Sequence, residues 1–365
     1  MARTFICSHL PSLSPRGGPS AFAEGLGTCG TPPIRPSTSF VPPSPQGGRQ
    51  ALRFGVWALL ALLLASPALA QQKTLAIGTG GTGGIYYPLG GAIANLLSKN
   101  VPGTQVTAEV TGGGVDNIRL IASGQTDMGM IGTDVAADAM AGTGRFKEKV
   151  PLRTLVNLYS SPIHVVTIEG TGIEKFADLK GKRISTGAPG SATETQAFRM
   201  LEAAGLDRDR DVRRERLSVA ESANAIKDRK IDAFVWGGGV PTAAVTDLAA
   251  TPGVRIKLID IRHLLEPIVK KYGRIFAPSV IPAGSYPGQD KDNLGFTYWN
   301  ALIASDRMPD DVAYAITKTI FEKKAELVAV HKEAESIDLK TQTEAESASP
   351  YHPGTLRYLK ERGAR

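Results

Sequence analysis

The stretch GTGGTGGIYYP (residues 78–88) stands between a short apolar run, TLAI (residues 74–77), and a segment whose Ile85, Leu89, Ala92, Ile93 and Leu96 share one helical face. Strand, glycine turn and helix in that order is the unit from which α/β sheets are built. Gly78, Gly80 and Gly83 also satisfy G-x-G-x-x-G, so the turn reads either as a dinucleotide loop or as another loop that exposes backbone amides at a helix start.

The plan repeats. RISTGAPG (residues 183–190) leads into SATETQAFRMLEAAG, and an offset of 109 lays Gly78 on Gly187 and Gly81 on Gly190. DNIRLIASGQTDMGMIGTDVA (116–136) and ANAIKDRKIDAFVWGGGVPTAAV (223–245) share the order helix, turn, Asp, apolar strand, glycine, helix, with Asp127 answering Asp232. TLVNLYSSPIHVVTI (154–168) is a β-rich run long enough to cross from one half to the other. The helical pattern from Pro309 onward has no counterpart in the second half and is expected to return to the first. The chain therefore reads as α/β with two lobes, residues 71–162 plus 264–365 as lobe I and 163–263 as lobe II, and a ligand cleft between them.

Residues 1–70 differ in kind from the rest. FGVWALLALLLASPALA, preceded by Arg49 and Arg53 and closing on Ala68-Leu-Ala70, has the form of a signal peptide. Residues 49–70 are read as that signal, cleaved after Ala70, with a periplasmic destination. Residues 1–48, rich in Pro, Gly and Ser, read as a disordered leader or as a start called too far upstream. This segment holds five Arg, no Lys and one acid, leaving 42 − 5 = 37 bases and 35 − 1 = 34 acids, or about +3. The basic balance that would suggest nucleic acid thus largely disappears from the mature chain. Both cysteines, Cys7 and Cys29, lie in the leader as well.

Glycine turns recur at 78–84, 112–114, 187–190 and 237–239, each after an apolar strand and before a helical pattern. In a parallel sheet such turns share the carboxyl edge, where ligands bind. Helix starts there carry about half a positive charge each, and two opposed sets imply an anionic guest. Two helix ends at up to roughly 2 kcal/mol each fall short of the roughly 8 kcal/mol of micromolar binding. Hydroxyl and amide donors must add to them, and Thr79, Thr82, Thr111, Asn117, Thr133, Ser191, Thr193 and Thr242 stand at these turns. Each is equally placed to cap a helix. Tyr86 and Trp236 either wall an organic ligand or belong to the core.

Enzyme signatures are mostly missing: no Lys-Ser/Thr completes a P-loop, and there is neither G-x-S-x-G nor C-x-x-C. His164, His263, His331 and His352 lack metal-ligand spacing. No cofactor and no metal is expected. The rival from another class, a dinucleotide-dependent oxidoreductase built on the Gly78–Gly83 loop, would require Glu109 as its ribose acid.

Six separated motifs, LAIGTGGTGGIYYPLGGAIANLL, TGGGVDNIRLIASGQTDMGMIGTDVA, FADLKGKRISTGAPGSATE, GGGVPTAAVTDLA, SYPGQDKD and YHPGTLRYLKERG, occur in order over residues 73–362. In these the chain resembles the TAXI solute receptors of TRAP (tripartite ATP-independent periplasmic) transporters. The resemblance implies a type II periplasmic-binding-protein fold with a hinge, and lobes that close on a small organic anion or amino acid of glutamate, glutamine or 2-oxoglutarate type. It also implies a monomeric, non-catalytic receptor delivering to TRAP-type membrane permease subunits; a receptor feeding a sensor kinase would read alike. Carried over by motif, the ligand shell comprises Thr79, Gly80, Gly81, Thr82 and Tyr86; Thr111, Gly113, Gly114 and Asn117; and Thr133 and Asp134. The other lobe adds Pro189, Gly190, Ser191, Thr193 and Glu194, then Gly238, Val240, Pro241 and Thr242. One departure is Trp236-Gly-Gly-Gly239, where the family pattern has small residues before Pro-Thr. If Asp134 and Glu194 both point inward, they would meet an amino group.

Overall fold

The computed structural model describes residues 73–364; the leader 1–48 and the signal-peptide segment 49–70 lie outside the described residues. The first half runs β1 (Lys73–Gly78), α1 (Tyr86–Asn100), β2 (Thr104–Glu109), α2 (Gly114–Ser123), β3 (Met128–Gly132), α3 (Thr133–Ala141) and β4 (Leu152–Ile168). Each helix follows a glycine turn, and α2 and α3 end on Gly124 and Gly142 in the left-handed region, the usual helix stop. β1 pairs in parallel with both β2 and β3, which places the turns after all three strands on one edge.

The second half repeats this with β5 (Arg183–Ser185), α4 (Ala192–Ala203), β6 (Arg213–Glu215), α5 (Val219–Lys227), β7 (Ala233–Gly237), α6 (Ala243–Ala249) and β8 (Ile256–Leu258). β5 lies parallel to β6 and β7. The chain then passes through α7 (Leu265–Tyr272), β9 (Ala277–Ile281) and β10 (Asn293–Ser305), and closes with α8 (Asp310–Glu322), α9 (Lys324–Val328) and α10 (Pro353–Glu361).

Two long strands join the halves. The sheet order is β2-β1-β3-β10-β4-β7-β5-β6, with β4 and β10 antiparallel at its centre. β4 pairs with β10 up to Pro162, then with β7 from Ile163 and with β8 from Val166. β10 pairs with β9 up to Thr297 and with β3 from Asn300, its register against β4 shifting between Asn300 and Ala301. The crossing point of both strands is therefore the hinge, with a bulge at the place where the chain must bend.

Side-chain alternation builds a core on each face of each half. Leu302 and Ala304 join Leu75, Ile77 and Leu89, whereas Ala301 and Ile303 join Val115, Ile131 and Val135. In the second half Ile163, Val165 and Val235 face one core, and Val166, Ile168 and Phe234 the other. The expected two-lobed α/β architecture is thus present. The segment after 263, which the division read from the sequence gives to lobe I, packs first with the second half: Leu264, Ile268, Phe276 and Phe296 lie in the core of Ile163, and Ile281 and Tyr286 in that of Val166. The return to the first half begins along β10, and Ala313, Ile316 and Ile320 of α8 complete its core. Among the described residues no helix is long and apolar enough to cross a membrane.

Candidate functional site

Four helix starts meet at a cavity of about 60 Å³ between the halves. Gly84, Ile85 and Tyr86 bring the start of α1, and Gly113 and Gly114 that of α2; Ser191, Ala192 and Thr193 bring α4, and Ser218 and Val219 bring α5. First-turn amides have no intrahelical acceptor, so each start presents donors and about half a positive charge. In α4 the Ser191 hydroxyl caps the Glu194 amide at 3.1 Å, and Ala192 and Thr193 of the uncapped first turn stand on the cavity wall. Tyr159 and Tyr298, from the two hinge strands, and Trp236 from the end of β7 complete the wall. No charged residue is among those lining it.

Glycine permits the close approach. A Cβ on Gly84 would lie 2.8 Å from the Trp236 ring, so the indole comes closer to this backbone than a side chain there would allow. Trp236 is held from behind: its Nε1 donates to Thr242 Oγ1 at 2.8 Å, and that hydroxyl donates to the Gly239 carbonyl at 2.7 Å. Thr242→Val keeps the shape but leaves both partners unpaired, at a cost of about 1–3 kcal/mol. The Trp236 fluorescence maximum is expected to shift with it; an unchanged spectrum and unfolding midpoint would exclude this holding role.

The floor is a hydrogen-bonded set from the hinge. The Tyr86 hydroxyl donates to Asn300 Oδ1 at 2.5 Å, and Asn300 Nδ2 donates to Ser161 Oγ at 2.7 Å. Burial pushes the Tyr86, Tyr159 and Tyr298 phenols above the ordinary tyrosine range, so all three remain neutral. A wall of neutral donors and helix starts favours negative charge.

Of the residues expected at the ligand, the structure brings Gly80, Gly81, Tyr86, Gly113, Gly114, Ser191, Thr193 and Gly238 to the cavity wall. The others stand behind or beside it. Thr79 donates to the Glu109 carbonyl at 2.6 Å, Thr111 to Thr79 O and Asn117 Oδ1, and Asn117 to Thr79 O and Met130 O. These three tie the first and second glycine loops together. Thr82 is exposed and Thr133 buried, both off the wall. Thr242 holds Trp236, Val240 donates its amide to Glu333 at 2.7 Å, and Pro241 follows in the same turn. Pro189 and Gly190 meet the first half directly: the Gly190 carbonyl accepts from the Asp116 amide at 3.1 Å.

Neither acid faces inward. Asp134 is fully buried and accepts from Arg199 at 3.2 Å, while the Glu194 carboxylate is taken by Arg145, Arg214 and Arg216. Burial pushes the Asp134 carboxyl up to about 6 against the opposing pull of Arg199, and its Oδ1 has no partner. Sequence reasoning missed Tyr159, Tyr298 and Ser218. The signal for the two tyrosines was available, because a strand that joins two lobes must pass beneath the cleft.

Several of these contacts bridge the halves: Arg199 of α4 to Asp134 and Asp138 of α3, Arg145 to Glu194, and Val240 to Glu333. The lobes are therefore closed on the cavity. The sequence pattern of the NMT1-like family matches residues 77–363, nearly all of both lobes and the site. The chain belongs to the NMT1-like family.

Solved structures similar to this NMT1-like chain include the periplasmic aliphatic sulphonate-binding protein SsuA from Escherichia coli, at 16% identity over 79% of this chain and 83% of that chain, with a TM-score of 0.40. A protein from Bordetella bronchiseptica RB50 matches at 17% identity over 80% and 99%, with a TM-score of 0.47. A putative L-cystine ABC transporter from Listeria monocytogenes matches at 14% over 73% and 95%, with a TM-score of 0.45.

Proposed function

We propose that this chain is the extracytoplasmic solute receptor of a TRAP-type secondary transporter, capturing a small organic anion or amino acid by lobe closure and presenting it to membrane permease subunits. The observation that carries the reading is the convergence of four helix starts, two from each half, on a cavity at the hinge with no charged side chain on its wall. Such a wall can bind and release a solute; it holds no paired acid and base for turnover. The TRAP assignment rests on the six ordered motifs that resemble TAXI receptors, and membership of the NMT1-like family accords with a binding role. Closure would be favoured by a solute only to the extent that it binds the closed state better than the open one.

The test is a thermal-shift screen of dicarboxylates, 2-oxo acids, simple carboxylates, sulfonates and amino acids on the chain from Gln71, with mass spectrometry of any solute carried through purification. At least one small anion is expected to raise the unfolding temperature in proportion to the logarithm of its concentration. A well-folded sample that responds to none, and carries none, would sink the receptor reading.

A further inference from the structure

Building on the receptor reading, we infer that the solute is a compact acid that carries no ammonium group, such as a 2-oxo or unsubstituted carboxylic acid, and that the site rejects the corresponding amino acids. An ammonium group buried in this cavity would need an acid, and each acid around the wall is engaged elsewhere. Glu194 is gripped by three guanidinium groups, from Arg145, Arg214 and Arg216. Asp134 is bound by Arg199, and its unpaired Oδ1 lies beside the Tyr298 ring, where a Cβ on Gly132 would be 2.8 Å from both. Asp116 pairs with Arg119 at 3.3 Å, and Glu221 accepts from the Ser218 amide at 2.8 Å in the α5 capping box. Glu333 accepts from the Val240 amide.

What does face the guest repels a cation: the positive ends of α1, α2, α4 and α5, and neutral phenols. The body of the guest meets Tyr86, Tyr159, Tyr298 and Trp236. Aromatic faces can attract a cation, but none of these four neutral rings supplies the anionic partner that a buried ammonium requires. The same amides that stabilise a carboxylate therefore oppose a zwitterion. A volume of about 60 Å³, against the ~10–15 Å³ that one water needs, limits the guest to a few heavy-atom positions in this closed state.

Isothermal titration with three matched pairs tests this: pyruvate and L-alanine, 2-oxoisovalerate and L-valine, 2-oxoglutarate and L-glutamate. Within each pair only the oxo group is exchanged for an ammonium. The expected result is that, in whichever pair fits the cavity, the oxo acid binds at least about 100-fold more tightly than its amino partner. An amino acid that binds as tightly as its oxo partner, or more tightly, overturns the inference and leaves the receptor reading standing. Absence of binding by any of the six, together with no response across the wider panel of carboxylates and sulfonates, overturns both.

Discussion

Arg199→Met is expected to remove about 3–5 kcal/mol of stability at pH 8, the range for breaking a buried ion pair from one side. Arg199 is 6% exposed and sits between Asp134, which is fully buried, and Asp138. Solvent screening therefore gives little relief. Methionine retains an apolar stem beneath the Tyr272 ring, over which the guanidinium now stacks at 4.4 Å, so the loss reports the uncompensated carboxylates rather than a cavity. The sign of the pH dependence follows from the carboxyls. Asp134 titrates at about 6 in the folded chain against 3.8 unfolded, raised by burial, and Asp138 is raised for the same reason, with Arg199 opposing both. Between those two values the folded state binds more protons, so this group's contribution to stability falls as pH rises through the window. Without Arg199 both carboxyls rise further, and the variant regains stability once pH falls below their new values. Urea unfolding at pH 8 and pH 5 should show the larger deficit at pH 8; equal deficits would exclude this account. Because α3 and α4 belong to different halves, the variant should also open the lobes, visible as a larger radius of gyration.

The second large effect belongs to closure itself. A Cβ on Gly112 would stand 2.3 Å from the Pro189 carbonyl oxygen, a backbone atom of the opposite half that no rotamer change can move. Gly112 is not among the residues at positive φ, so alanine fits the open state without backbone strain. The methyl would also meet Asp116 Oδ2, 2.4 Å away in the same half, but that carboxylate ends a partly exposed side chain that can turn aside, so Gly112→Ala should act mainly on the closed state, at about 1–3 kcal/mol for the overlap with Pro189. That corresponds to roughly 5- to 150-fold weaker solute binding, with the ligand-free unfolding midpoint essentially unchanged. Unaltered affinity would mean that this closed arrangement is not the one that binds.

Much of this arrangement was legible in the chain. Short runs ending in glycine, apolar in β1, β3 and β7 and reduced to Arg-Ile-Ser in β5, each followed by a 3.6-residue pattern, located these strands and the helix starts after them. The offset of 109 matched the loop at Gly78–Gly81 to that at Gly187–Gly190, and the structure brings both to the cavity, through Gly80, Gly81, Gly187 and Ala188. Side-chain direction was not legible. Thr79, Thr111 and Asn117 carry the donors expected of ligand residues, and the structure uses them to bind loop to loop, because an unpaired buried carbonyl must be satisfied before a guest can be. The extent of the second lobe was hidden for a related reason: α7 and β9 have ordinary local patterns, and only their packing against Ile163 and Val166 assigns them.

The sequence by itself determined the α/β alternation, the two similar halves and the glycine turns that set amides at helix starts, since these depend on local periodicity and backbone freedom. Tertiary structure alone decided which charges meet. Glu194 is 20 residues and more from the arginines that neutralise it, and Asp134 is 65 from Arg199. Coulomb energy depends on separation in space, and only the folded chain sets that separation. That pairing leaves a positive, uncharged-walled cavity where the sequence alone allowed either an anion or an amino acid.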